Sequence, residues 1–168
     1  MKRRIWLWEL FGFAVTALVG TLLHFLYDWF GEAAWIAPFS SVNESTWEHM
    51  KLLFWPMLGY TVLESLFFRE REDFWRIKLC GALIGQAAIP ALFYTYNGVI
   101  GKSPDFVNIA IFFVSAAIAY FYQARMLYKE NGSCISKGLA MLSFVLIAAA
   151  FVIFTFYPPD IAIFRAPL

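Results

Sequence analysis

Charge is scarce in this chain. Asp, Glu, Lys and Arg make up 15% of its 168 residues, against about 25% in soluble domains. Cysteine is nearly missing. Cys80 and Cys134 are the two present, too few for a disulfide framework and without metal-site spacing. Histidine is limited to His24 and His49. The net charge of +1 comes with no basic stripe and no recognition motif, which excludes nucleic acid as the expected partner. What fills the chain is apolar: 61% hydrophobic residues, 20% aromatic and a mean hydropathy of +0.65. That excludes disorder, and one soluble core of this size could not hide so much apolar surface. The composition predicts an integral membrane protein.

Five stretches reach the length of about 20 mostly apolar residues that a crossing needs: Ile5–Tyr27, Leu52–Phe68, Leu79–Tyr96, Phe106–Tyr122 and Gly138–Tyr157. Backbone groups must be satisfied internally in lipid, so each reads as a helix, and no period-two pattern suggests a barrel. The expected fold is an all-α bundle of five transmembrane helices in one domain. Counting Lys and Arg at the span ends puts ten of the 13 on one side, with Lys51, Lys102 and Arg165 on the other. The positive-inside rule then places the N-terminus in the cytoplasm and the C-terminus outside, in a bacterial cytoplasmic membrane. The first span reads as a retained signal anchor. Both cysteines fall on the cytoplasmic side, where thiols stay reduced. The inner loops, Arg69–Lys78 and Arg125–Lys137, are short and charged.

The polar outer loop, residues 28–51, stands apart. It ends in Ser41-Val42-Asn43-Glu44-Ser45-Thr46-Trp47-Glu48-His49-Met50-Lys51. Ser41 with Glu44, and Ser45 with Glu48, both fit a capping box. The second helix is therefore expected to begin near Asn43 and run to Phe68, roughly 39 Å at 1.5 Å per residue. On this run, together with His24-Phe25-Leu26-Tyr27, the chain resembles a family of small bacterial membrane proteins, domain of unknown function 6512. The similarity covers the whole chain in length and span count. The resemblance implies a fold and a motif, and no activity.

Depth and azimuth relate these polar groups. His24 and His49 lie at matching height near the outer surface, and Glu9 and Glu64 at matching height near the inner boundary. Each carboxylate is 15 residues from the histidine of its own span, about 60° around a helix. Gly12, Thr16 and Gly20 give the first span small residues for close approach. Glu44 and Glu48 share a helical face, but His49 is turned about 140° from Glu44. A regular helix therefore lets one ion collect His24, His49 and only one of the two glutamates. The pattern is not His-Glu-x-x-His.

These residues support readings from several classes. One is an outer-leaflet pocket of His24, Asn43, Glu44, Trp47, Glu48 and His49 that binds a small organic or metal cation, with transport as its extension. Transport would call for a homo-oligomer, because no inverted repeat is visible. A second is a membrane enzyme acting on a lipid-linked substrate. His49 and Glu48 are its candidate catalytic residues, and a divalent metal would sit on His24, His49 and Glu48. A third is a bis-histidine haem protein, and a fourth a structural or regulatory subunit. The plain alternative for residues 43–49 is a capped helix start at the membrane interface. Glu9 and Glu64 read as side chains snorkelling beside Arg69 or Lys2, with a proton or cation path as the alternative, and Gln86 and Asn108 as inter-helix hydrogen bonders. Gly81 and Gly85 form a packing motif.

Overall fold

The computed structural model describes residues 2–129 and 136–166. Cys134 and the middle of the 125–137 loop lie outside the described residues. Five long helices follow one another: α1 (Lys2–Trp29), α2 (Thr46–Ser65), α3 (Phe74–Val99), α4 (Asp105–Tyr128) and α5 (Lys137–Phe156). A short 3₁₀ turn, Ala162–Phe164, follows, and there is no strand among the described residues. Apolar runs of this length leave the backbone no partner but its own helix. Residues 4–29 of α1, and α3, α4 and α5, are long and apolar enough to cross a membrane.

The remaining helix, α2, departs from the expected pattern. α2 does not reach that apolarity, because it is the central helix. It packs against α1, α3, α4, α5 and the 3₁₀ turn. Enclosed by protein, it carries buried polar side chains at Glu48, Lys51, Thr61 and Glu64 beside Leu53, Phe54 and Met57. It also spans Thr46–Ser65 rather than Asn43–Phe68. Ser45 starts it as N-cap, its hydroxyl accepting from the Glu48 N–H at 3.4 Å. The Ser41–Glu44 alternative does not form a cap.

Small residues set the helix contacts. A Cβ at Gly12 would stand 2.4 Å from the Tyr60 ring and 2.6 Å from that of Tyr120. One at Gly20 would meet Phe112 at 2.6 Å and the Leu52 carbonyl at 2.7 Å. Gly81 and Gly85 press in the same way on Gln123 and Ala119 of α4, as small residues at membrane-helix interfaces do. Gln86 bridges α3 to α2 by donating to the Met50 carbonyl at 3.2 Å. Asn108 instead serves the α3–α4 turn, accepting from Ser103 at 2.7 Å, because α4 starts only three residues before it.

Candidate functional site

The site begins where α1 ends. Gly31 at φ 61° and Glu32 at φ 60° turn the chain out of the helix through the left-handed region that favours glycine. The following loop folds back, and Ser40 enters the last turns of α1. Its hydroxyl accepts from the Tyr27 N–H at 2.9 Å and donates to the Leu23 carbonyl at 2.5 Å. It thus takes the place of one rung of the helical ladder, a recognised cause of local helix opening. His24 lies within that turn.

The segment before α2 is fixed as tightly. Asn43 Oδ1 accepts from the Ser45 N–H at 2.8 Å, and the Asn43 carbonyl accepts from Ser41 Oγ at 2.7 Å. This is an Asx turn, and it holds Glu44 outside the helix. Freed from helical azimuth, the Glu44 carboxylate reaches both histidines. Oε1 is 3.6 Å from His24 Nε2, and Oε2 is 3.4 Å from His49 Nε2. The two imidazole rings are 5.7 Å apart, centre to centre. His49 Nδ1 is 3.0 Å from the Ser45 carbonyl. A carbonyl only accepts, so Nδ1 carries a hydrogen and Nε2 is the nitrogen turned to Glu44. When His49 is protonated, its Nε2–H donates to Glu44, and that hydrogen bond, more than the opposing effect of burial, holds the Glu44 carboxyl below its usual range.

The glutamate that joins the histidines is thus Glu44. Glu48 points the other way, into the protein. It pairs with Lys51 Nζ at 2.6 Å and accepts from the Val42 N–H at 2.9 Å. Lys51, which the sequence reading left in the outer loop, is 0% exposed. It donates to the Ala37 carbonyl and to Thr155 Oγ1 of α5, each at 2.8 Å. Trp47 also leaves the histidines. Its indole packs on Phe151, Phe154 and Phe164, with centroids 4.6, 5.6 and 4.6 Å away. Asn43 is exposed and committed to its turn. Of the six expected ligand residues, the structure brings together His24, Glu44 and His49; Asn43, Glu48 and Trp47 build the support.

These three are partly open to the surroundings: the side chains of His24, His49 and Glu44 are 30%, 20% and 63% exposed. One donor atom from each gives a set in which no pair is further than 4.8 Å apart. Ligands on a tetrahedral ion with bonds of about 2.0–2.1 Å stand ~3.4 Å from each other. Both carboxylate–imidazole spacings already fall near that value.

A separate groove of about 500 Å³ runs between α1 and α2, past Val15, Leu23, Trp35, Trp55 and Leu63. It is apolar and includes none of the three donors.

The family of unknown function DUF6512 matches residues 2–168. The chain belongs to that family. The match takes in both histidines, the Asn43–His49 run and all five helices. Neither curated proteins nor solved structures gave a match.

At the opposite end of the bundle, the expected snorkelling of Glu9 and Glu64 does not occur. Both are buried, 2% and 0% exposed, against Lys78 of α3. The reason is where α3 starts. Its first turn includes Phe74, so Lys78 is a helix residue facing α1 and α2, not part of a loop. Neither Lys51 nor Lys78 was identified from the sequence. The signal available is a lysine directly before an apolar run: Lys51 has Glu48 three residues back, and Lys78 has Glu9 and Glu64 near the same end of neighbouring spans.

Proposed function

We propose that the chain is an integral membrane protein that binds a divalent transition-metal cation through His24, Glu44 and His49. The observation that carries this reading is the approach of two imidazole Nε2 atoms to one carboxylate, at 3.6 and 3.4 Å, with His49 Nδ1–H tied to a backbone carbonyl at 3.0 Å. In the neutral ring, that tautomer turns a lone pair of His49 towards the carboxylate. Two acceptors facing each other call for a cation between them, and a metal ion fills that position as well as a proton does. Imidazole with carboxylate suits zinc and its first-row neighbours, and the Nδ1–H···O=C contact is the usual outer support of a metal-bound histidine.

The α1–α2 turn would face the extracytoplasmic side. Arg4, Arg69, Arg71 and Arg76 gather at the other end of the bundle, which favours a cytoplasmic N-terminus under the positive-inside rule. On this reading α2 also crosses the membrane, shielded by its neighbours, and the membrane is a bacterial cytoplasmic one. Cation capture at the outer surface is the activity, and transport across the bundle is its extension.

One observation favours a second reading, metal-dependent chemistry at the same place. Three protein ligands with an exposed side leave a coordination position for water or substrate, as catalytic zinc sites do. A haem is disfavoured because Glu44 reaches between the two imidazoles.

The test is elemental analysis of detergent-purified protein grown with Zn, Mn, Fe, Co and Ni, beside His49→Ala and Glu44→Gln. Near-stoichiometric metal in the native chain, lost in both variants, is the expected result. A native chain that holds none of these metals, and shows no thermal shift when they are added, overturns the reading.

A further inference from the structure

A fully buried cluster of charges takes no part in the proposed metal site. It lies 15 residues away from it along both α1 and α2, or about 22 Å. Between the two ends, Gly20 closes on Phe112 and on the Leu52 backbone.

Lys78 Nζ is 2.5 Å from Glu9 Oε1 and also pairs with Glu64 Oε2. Gln123 Oε1 of α4 accepts from the same ammonium at 3.1 Å, and its amide donates to the Lys78 carbonyl at 3.3 Å. An ammonium has three N–H donors; two go to Glu9 Oε1 and Gln123 Oε1, and Glu64 Oε2 faces the charge as an ion pair. The rings of Phe74, Tyr120 and Tyr60 wall the ammonium at 5.6, 5.9 and 6.0 Å from their centres.

The charges do not balance. α1 contributes the Glu9 carboxylate, α2 the Glu64 carboxylate and α3 one ammonium; α4 contributes the neutral Gln123. The two tyrosines facing the cluster are engaged elsewhere. Tyr60 donates to the Trp8 carbonyl and Tyr120 bonds Thr16, each at 2.7 Å. With both glutamates ionised, the cluster would keep one negative charge with no exposure to water. An unmatched buried charge is strongly unfavourable, because nothing replaces its lost hydration. Among the described residues, Glu9 Oε2 and both carboxylate oxygens of Glu64 also have no hydrogen-bond partner. A metal cation has no place here, because the position between the carboxylates is filled by the lysine Nζ. A proton answers both needs, since it cancels the surplus charge and supplies a donor. Two carboxylates held close share one proton for the same reason in other sites.

We propose that Glu9 and Glu64 together bind one proton at neutral pH, so that this cluster is a proton-binding site inside the bundle with Lys78 as its fixed counter-charge. Binding adds one proton to the pair and breaks no bond. The cluster is neutral with the proton bound and carries one negative charge after release. This site does not depend on the metal reading, since no residue is shared.

The test is infrared spectroscopy of the full chain in lipid nanodiscs at neutral pH, in H₂O and D₂O. The native protein is expected to show the C=O stretch of a protonated carboxylic acid, shifted by deuteration. Glu9→Gln and Glu64→Gln each leave one carboxylate for one ammonium, so the band is lost in both. These variants remove surplus charge and are expected to fold. Lys78→Met removes the counter-charge, so both carboxyls protonate and the band grows; where that variant does not fold, the two glutamine variants decide. Absence of the band from the native protein, or its survival in either glutamine variant, overturns the proposal. The band is expected to be unchanged in His49→Ala and after chelation, which separates this outcome from the fate of the metal site.

Discussion

Removing the Lys51 ammonium is the perturbation whose cost follows most directly from the structure. Lys51 and Glu48 are 0% and 2% exposed and 2.6 Å apart. Lys51→Met keeps the stem and its packing but deletes three interactions at once: the ion pair, the bond to Ala37 and the bond to Thr155. Glu48 is left buried with a single donor, the Val42 N–H at 2.9 Å. Breaking one side of a buried pair typically costs 3–5 kcal/mol. At about 2–4 °C per kcal/mol for a chain of this size, the midpoint of thermal unfolding falls by roughly 6–20 °C. Glu48→Gln costs less, because Lys51 keeps its carbonyl and hydroxyl acceptors. The double variant Lys51→Met/Glu48→Gln leaves no unmatched charge. It is expected to be at least as stable as Lys51→Met alone, so the two changes are strongly non-additive. The pair also fixes Val42, two residues from Glu44, so metal affinity in Lys51→Met should fall even where the fold survives. Thermal unfolding in detergent, run as a double-mutant cycle, measures all three. A loss below about 1 kcal/mol for Lys51→Met, or simple additivity, refutes the reasoning, because it would mean that the pair is hydrated or absent.

Ser40→Ala removes the hydroxyl that replaces a rung of α1, leaving the Leu23 carbonyl and Tyr27 N–H to re-pair. The turn that carries His24 then shifts, and metal binding is expected to weaken with little change in thermal midpoint. An unchanged titration would show that Ser40 does not position His24. Gly12→Ala forces a methyl to within 2.4 Å of Tyr60 and should cost about 1–3 kcal/mol by overpacking, read as a lower midpoint; no loss would mean the α1–α2–α4 contact is looser. Glu44 has a carboxyl held below its ordinary value of 4.5, first by its hydrogen bond with His49. A depressed folded-state value gives stability that is present above pH 4.5 and lost as pH falls through the lower one. The small midpoint difference between native chain and Glu44→Gln, both without metal, should therefore close on acidification. A difference that widens there would contradict the assignment.

The apolar pattern made the helices legible, because bilayer thickness and backbone satisfaction leave few alternatives for runs this long. Matching heights likewise related His24 to His49, since length along a helix is fixed at 1.5 Å per residue. Azimuth was the weaker guide. It assumed that α2 already included Glu44, whereas an Asx turn at Asn43 delays the helix to Thr46 and releases the carboxylate to meet both rings. Lys51 and Lys78 were misread for a related reason. A lysine at the margin of an apolar run counts as a loop charge when composition alone draws the boundary. For Lys78, the helix start at Phe74 puts the ammonium one turn inside the bundle; Lys51 already falls within the expected second helix, and its burial comes from the neighbours that enclose α2. Once there, each must find carboxylates. Lys51 finds Glu48 on its own helix, three residues back, and its charge is matched. Lys78 finds Glu9 and Glu64 on two others and is outnumbered. The difference lies in the tertiary arrangement. An i, i+3 partner is readable from spacing; matching height relates Glu9 to Glu64 but does not bring the lysine of α3 to them, and the carboxylate left over once it arrives is what requires a proton.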